Sequence, residues 1–141
     1  MDLKTEKLMD QKTEKPKNRK TDIFRFREFP VYKEARAFRA ELKALSKKKF
    51  PKEEQFCLTS QMWRALDSIL LNIAEGSDRY SDIDFSRFLN NALTSVNEIV
   101  ACLDAAIDDE YINESEHVKF LNWGENIVRQ LKAFSSKVRR G

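Results

Sequence analysis

The chain is 141 residues long, the size of one domain, and holds only three glycines and three prolines. Turn-rich β-sandwiches and barrels need many such punctuating residues, so the shortage, with 41% hydrophobic and 35% charged residues, points to long amphipathic helices. Basic residues number 26 and acidic residues 23, a net charge of +3, and three glycines are too few for a Gly-rich phosphate-binding loop.

Residues 1–23 stand apart, with 12 charged residues, few apolar ones, and Lys-Thr-Glu-Lys at both 4–7 and 12–15. Such a segment cannot bury enough apolar surface to offset its ordering entropy. A disordered charged tail is expected, with a weakly helical extension docked in an oligomer as the alternative. The folded domain then occupies residues 24–141.

Phe24, Phe26 and Phe29 lead into Pro30, which suits a first helical turn because its missing N–H is unpaired there anyway. Val31, Ala35, Phe38, Leu42 and Leu45 follow at helical spacing, and Lys47, Lys48 and Lys49 suit a helix C-terminus. The first helix is predicted over 30–49 and is broken at Phe50-Pro51. The second is predicted over 52–76, with Phe56, Thr59, Trp63, Leu66, Leu70 and Ile73 as its apolar stripe and Gly76 as a left-handed cap.

The connection Ser77 to Tyr80 is short, so the next helix must return antiparallel. Ser81 followed by Asp84 reads as a capping-box variant that opens a third helix over 82–107. Phe85, Phe88, Leu89, Ala92, Val96, Ile99, Leu103 and Ala106 form its broad buried face. The acidic run Asp108-Asp109-Glu110 is unfavourable at a helix C-terminus, so this helix should end before or within it. Asn113 with Glu116 repeats the cap signal for a fourth helix over 114–138, striped by Phe120, Trp123, Ile127, Leu131, Phe134 and Val138. The expected fold is all-α, an up-down-up-down antiparallel four-helix bundle.

Charge is segregated along this plan. Net charge is +2 over residues 1–23, +7 over 24–52, −9 over 53–112 and +3 over 113–141. On the first helix Lys33, Arg36, Arg39, Lys43 and Lys47 fall within a sector of about 120°, opposite the apolar stripe. Three readings stay open for this row: a solvated outer face, a surface that tracks nucleic-acid phosphates, or a contact with an acidic neighbouring subunit. No aromatic side chain interleaves the cations along the helix, so nucleic-acid binding there would be largely sequence-independent.

Other chemistry is sparsely represented. A lone histidine, His117, near the start of the fourth helix, reads as a surface residue. Cys57 and Cys102 cannot make a four-thiolate zinc site and read as reduced thiols rather than a bridge. No metal, cofactor or catalytic residue is assigned. The opening Met1-Asp2-Leu3-Lys4 has no apolar signal region and no apolar run approaches a membrane span, so a cytoplasmic, water-soluble protein is expected.

On the second helix Gln61, Arg64, Ser68, Asn72 and Glu75 share a polar face. They could fix the loop that follows, through Asn72 and Glu75. They could also form an intersubunit seam in which Glu75 meets Arg64, Arg79 or Arg87 of a neighbour. Catalysis lacks support, since no nucleophile–base–orienter set accompanies them.

Leu58-Thr59-Ser60-Gln61, Arg64-Ala65, Ser68-Ile69 and Asn72-Ile73-Ala74-Glu75-Gly76-Ser77 resemble the signature of the proteins encoded in 23S rRNA intervening sequences, once labelled S23 ribosomal proteins. The likeness continues through Arg79, Ser81, Phe85, Arg87-Phe88-Leu89, Ala92, Ser95, Glu98 and Tyr111-Ile112, and begins earlier with Phe26, Phe29, Val31, Tyr32 and Ala35. It covers roughly residues 24–138. Trp63-Arg64 stands where the family often has two arginines, which weakens a nucleic-acid surface on the second helix. Leu70 replaces a frequent proline, so this helix should be straighter. Thr94-Ser95 replaces a frequent Gly-Ser, which puts a very close helix approach there in doubt.

The resemblance implies an antiparallel four-helix bundle assembled as a homopentamer, with no established catalytic activity. It also implies kinship with the accessory variability determinant of diversity-generating retroelements, a basic pentamer associated with reverse transcriptase and nucleic acid. An RNA-linked adaptor is therefore expected, with a scaffold for a protein partner as the other reading.

Overall fold

The computed structural model describes residues 23–140, and the expected tail lies outside them except for Ile23, which is exposed. Four helices follow: α1 Pro30–Lys49, α2 Leu58–Gly76, α3 Asp82–Asp108 and α4 Glu114–Arg140. Among the described residues the only other regular elements are two single-turn 3-10 helices, Arg25–Glu28 and Lys52–Glu54. Short connections force each helix back along its predecessor. α1 packs on α2 and α4, α2 on α3, and α3 on α4, which closes the bundle.

Most of the sequence signals for helix ends hold, including the break of α1 after Lys49. Pro30 occupies the first turn of α1, and Ser81 Oγ accepts the Asp84 N–H at 3.0 Å to open α3. Asn113 and Glu116 form a reciprocal capping box, with bonds of 2.8 and 2.9 Å. α3 ends within its acidic run. There Glu110 takes the left-handed conformation, φ 65°, and the Tyr111 N–H returns to the Ala106 carbonyl at 2.8 Å.

The second helix ends at Gly76 as expected but departs from expectation in its start and in the role of that glycine. It begins at Leu58 rather than near 52, because Cys57 is non-helical at φ −123°, ψ −102° and residues 52–54 make only a 3-10 turn. Its first turn is capped from outside by Glu54, whose Oε1 accepts the Leu58 N–H at 3.2 Å. Of the expected stripe Leu66 and Ile73 lie in the core, joined there by Met62, Ala65 and Ile69. Trp63 and Leu70 flank it, and Phe56 stands 85% exposed.

At the other end Gly76 is not a left-handed cap, since no described glycine has positive φ. It is a buried helical residue, and a Cβ there would lie 2.6 Å from the Cβ of Phe88. The glycine is required by close approach of α2 to α3, not by turn geometry. Ser77 ends the helix in ordinary right-handed conformation, its N–H returning to Ile73 at 3.1 Å.

Aromatic clusters close the two ends of the bundle. Phe134 packs edge-on against Phe29 at 5.0 Å and Phe85 at 5.3 Å near the start of α1. Phe50 packs on Tyr111 at 5.8 Å at the opposite end. Midway, Phe38 of α1 meets Trp123 at 5.4 Å and Phe120 at 6.4 Å. In each cluster a buried ring (Phe85, Phe50, or Phe38 with Phe120) meets partly buried ones at the margin of the core, adding to the apolar burial that stabilises such a bundle.

Candidate nucleic-acid interface

The two flanks of α1 carry opposite chemistry. Toward α4, Glu34 accepts the Trp123 indole N–H at 2.8 Å, Glu41 pairs with Lys119 at 3.0 Å, and Lys49 pairs with Glu116 at 3.3 Å. Toward α2 the flank is cationic. Arg39 Nε donates to Asp67 at 2.8 Å, and Lys43 Nζ sits 4.1 Å from the centroid of the Trp63 ring, with Lys47 Nζ at 5.8 Å.

The five cations of the predicted row therefore differ in freedom. Lys33 pairs with Glu28 at 3.2 Å and Arg39 with Asp67. Arg36, Lys43 and Lys47 have no carboxylate partner among the described residues; Arg36 and Lys47 are exposed and Lys43 is half-buried. Exposed pairs such as Lys33–Glu28 contribute little and exchange readily for phosphate.

An aromatic side chain does lie among these cations, contrary to the reading of α1 alone. Trp63 comes from α2 and reaches the Lys43–Lys47 stretch across the helix interface, its indole N–H donating to the Ser46 hydroxyl at 2.9 Å. The missing signal was an inter-helix contact, which no periodicity along one helix contains.

The polar face of α2 divides in two. Ser68 and Asn72 turn toward α3: Asn72 Nδ2 donates to Ser68 Oγ at 3.0 Å and to its carbonyl at 2.9 Å, and Ser95 Oγ donates to Ser68 Oγ at 2.8 Å. Ser68 thus makes the bond across to α3, while Asn72 bonds back to Ser68 on its own helix instead of holding the following loop. The same hydroxyl contact links α2 to α3 at Ser95. Gln61, Arg64 and Glu75 remain exposed.

Arg64 reaches only Ser60, at 3.3 Å. Glu75 pairs with Arg79 at 2.8 Å, and Arg79 lies 4.5 Å from the Phe88 centroid, so this part of the face does fasten the turn before α3. Arg25 adds a bond to the Ser77 carbonyl at 3.0 Å. Arg87 pairs with Asp84 at 3.0 Å at the start of α3.

Glu54 was missed at the sequence level. Besides capping α2, its Oε2 accepts the Tyr111 hydroxyl at 2.7 Å, joining the α1–α2 linker to the α3–α4 turn. The bond to Glu54 is the main reason the phenol is pushed up to about 12, with desolvation and the charges of Asp109 and Glu53 adding to it. Glu116 is held below the usual carboxylate value, chiefly by the Asn113 N–H and also by Lys49, against a smaller opposing effect of desolvation.

His117 is not a free surface residue. Its ring is 17% exposed, with Nε2 2.8 Å from Asp104 Oδ1 on α3. Cys57 is exposed and Cys102 buried, both as free thiols, and burial with the Glu98 charge raises the Cys102 pKa. Among the described residues no cluster of three potential metal ligands occurs, and no helix is long and apolar enough to cross a membrane.

Comparison with known proteins agrees with this architecture. No curated protein matches the chain. A crystal structure of a protein of unknown function from the S23 ribosomal protein family of Bacteroides thetaiotaomicron superposes with a TM-score of 0.69 at 27% identity, over 75% of this chain and 95% of that one. The pattern of the 23S rRNA-intervening sequence proteins matches residues 27–133, which span all of α1, α2 and α3 and most of α4. The chain belongs to the 23S rRNA-intervening sequence protein family.

Proposed function

We propose that the protein is a non-enzymatic, oligomeric RNA-binding module that offers the α1–α2 flank to phosphates. The observation that carries this reading is the row on α1, where Arg36, Lys43 and Lys47 keep their charge uncompensated among the described residues. Five cations on one straight helix match a polyanion, because neutralising phosphates releases condensed counterions. The family description names the intervening sequences of 23S rRNA, and RNA is taken as the polyanion on that link.

Oligomerisation is supported by the segregation of +7 on residues 24–52 from −9 on residues 53–112, which suits head-to-tail subunit contacts. A ring of such subunits would repeat a weak phosphate site and raise avidity without new contacts.

A second reading, a scaffold for a protein partner, is favoured by one feature. Ile23, Phe24 and Leu71 form an apolar surface beside the α2–α3 turn, with Leu71 65% exposed. Salt separates the two readings. Fluorescence anisotropy with labelled RNA should show affinity falling on a log–log plot by about 0.7 per phosphate contacted for single strands. No detectable RNA binding at low salt would transfer the lead to the scaffold.

A further inference from the structure

Between the end of α1 and the start of α2 lies an open groove of about 510 Å³. Its walls combine Phe56 and Trp63 with Lys47, Lys52 and Arg64, and its one acidic residue, Asp67, is already engaged by Arg39 at 2.8 Å. The groove is thus concave, aromatic and positively charged.

The two aromatics play different parts. Trp63 is fixed: Lys43 lies over its ring at 4.1 Å and Ser46 takes its indole N–H at 2.9 Å. Phe56 is 85% exposed on the linker before α2, and packing within the chain gives no reason for a phenylalanine there. A ring presented beside three cations is the combination that single-stranded nucleic acid uses, the base stacking on the ring while its phosphates meet the cations.

We propose that this groove receives an unpaired nucleotide of single-stranded RNA, its base on Phe56 and its flanking phosphates on Lys47, Lys52 and Arg64. The inference rests on the RNA-binding reading and narrows it from any RNA to RNA with unstacked bases. A duplex keeps its bases paired and stacked on one another, so it can use the α1 row but not Phe56.

The test compares a short labelled oligouridine with a labelled RNA duplex of the same length, on the full-length protein, by anisotropy. Phe56→Leu should weaken oligouridine binding by about 5- to 100-fold, the range for losing one stacked base, and leave duplex binding and the salt slope unchanged. Phe56→Tyr should restore single-strand affinity. If Phe56→Leu binds oligouridine as wild type does, while both RNAs still bind, the groove holds no base and the broader RNA reading survives. If wild type binds neither RNA, both proposals fall. A lower mass for Phe56→Leu in light scattering would assign the ring to a subunit contact and overturn the groove proposal.

Discussion

Gly76 and Phe88 face each other across the α2–α3 turn so closely that a Cβ on the glycine would come within 2.6 Å of the phenylalanine Cβ. Atoms on both sides belong to rigid helices, so neither can yield cheaply. Gly76→Ala should destabilise the fold by about 1–3 kcal/mol through overpacking, read from urea unfolding. Gly124 is the internal control. A Cβ there would meet Val96, Phe38 and Val100 at 3.5–3.8 Å, ordinary contact distances. Gly124→Ala should therefore stabilise by about 0.5–1 kcal/mol, the usual advantage of alanine within a helix. A stabilising Gly76→Ala would contradict the close approach.

The bundle was largely legible because each helix carries an apolar repeat and each of the three connections between helices carries local cap or break residues. The failures share a cause. Phe56, Trp63 and Leu70 recur every seven residues and imitate a stripe, which takes in the buried Leu66 and Ile73 but misses their core neighbours Met62, Ala65 and Ile69. Gly76 sits where a cap glycine would, but its reason is Phe88 on the next helix. Glu54 acts on Tyr111, and Trp63 on Lys43, across distances in sequence that no local pattern spans.

The Glu54–Tyr111 bond gives the fold an alkaline limit. The phenol is raised from 10.0 to about 12, so the neutral hydroxyl is favoured in the folded state. Its stabilisation is fully present below the unfolded value of 10.0 and is lost as pH rises through about 12. Tyr111→Phe should lack this contribution, so the stability difference from wild type should shrink between those values in urea titrations.

Glu116 sets the opposite limit. Its carboxylate is held below its ordinary value of 4.5, so its contribution is present above that pH and is lost as pH falls through the lower folded value. Glu116→Gln should lower stability at neutral pH and lose less than wild type on acidification. Parallel acid profiles for the two proteins would contradict the capping box.

The two thiols should react at very different rates. Cys57 is exposed, whereas Cys102 is buried and its pKa is raised by desolvation and by Glu98, which leaves less of the reactive thiolate. Under native conditions a thiol reagent should label Cys57 and spare Cys102 until the protein is unfolded, as read by mass spectrometry.

Assembly is tested by light scattering after gel filtration. The segregation of charge predicts a closed ring, with the pentamer of the family resemblance as the expected form, and partial loosening at high salt because exposed charge pairs are screened. A monomer across micromolar concentrations would contradict it.

The central claim is that the α1 row meets RNA phosphate, and charge reversal at its two exposed, carboxylate-free positions tests it most directly. Arg36→Glu with Lys47→Glu should leave helicity unchanged, because neither side chain pairs with a carboxylate among the described residues, and light scattering on the same variant shows whether the row also belongs to the subunit contact. Measured by anisotropy over a range of salt, RNA binding should be lost in the double variant at salt where wild type binds. A double variant that binds RNA with wild-type affinity and salt slope would show that the row is only a solvated face.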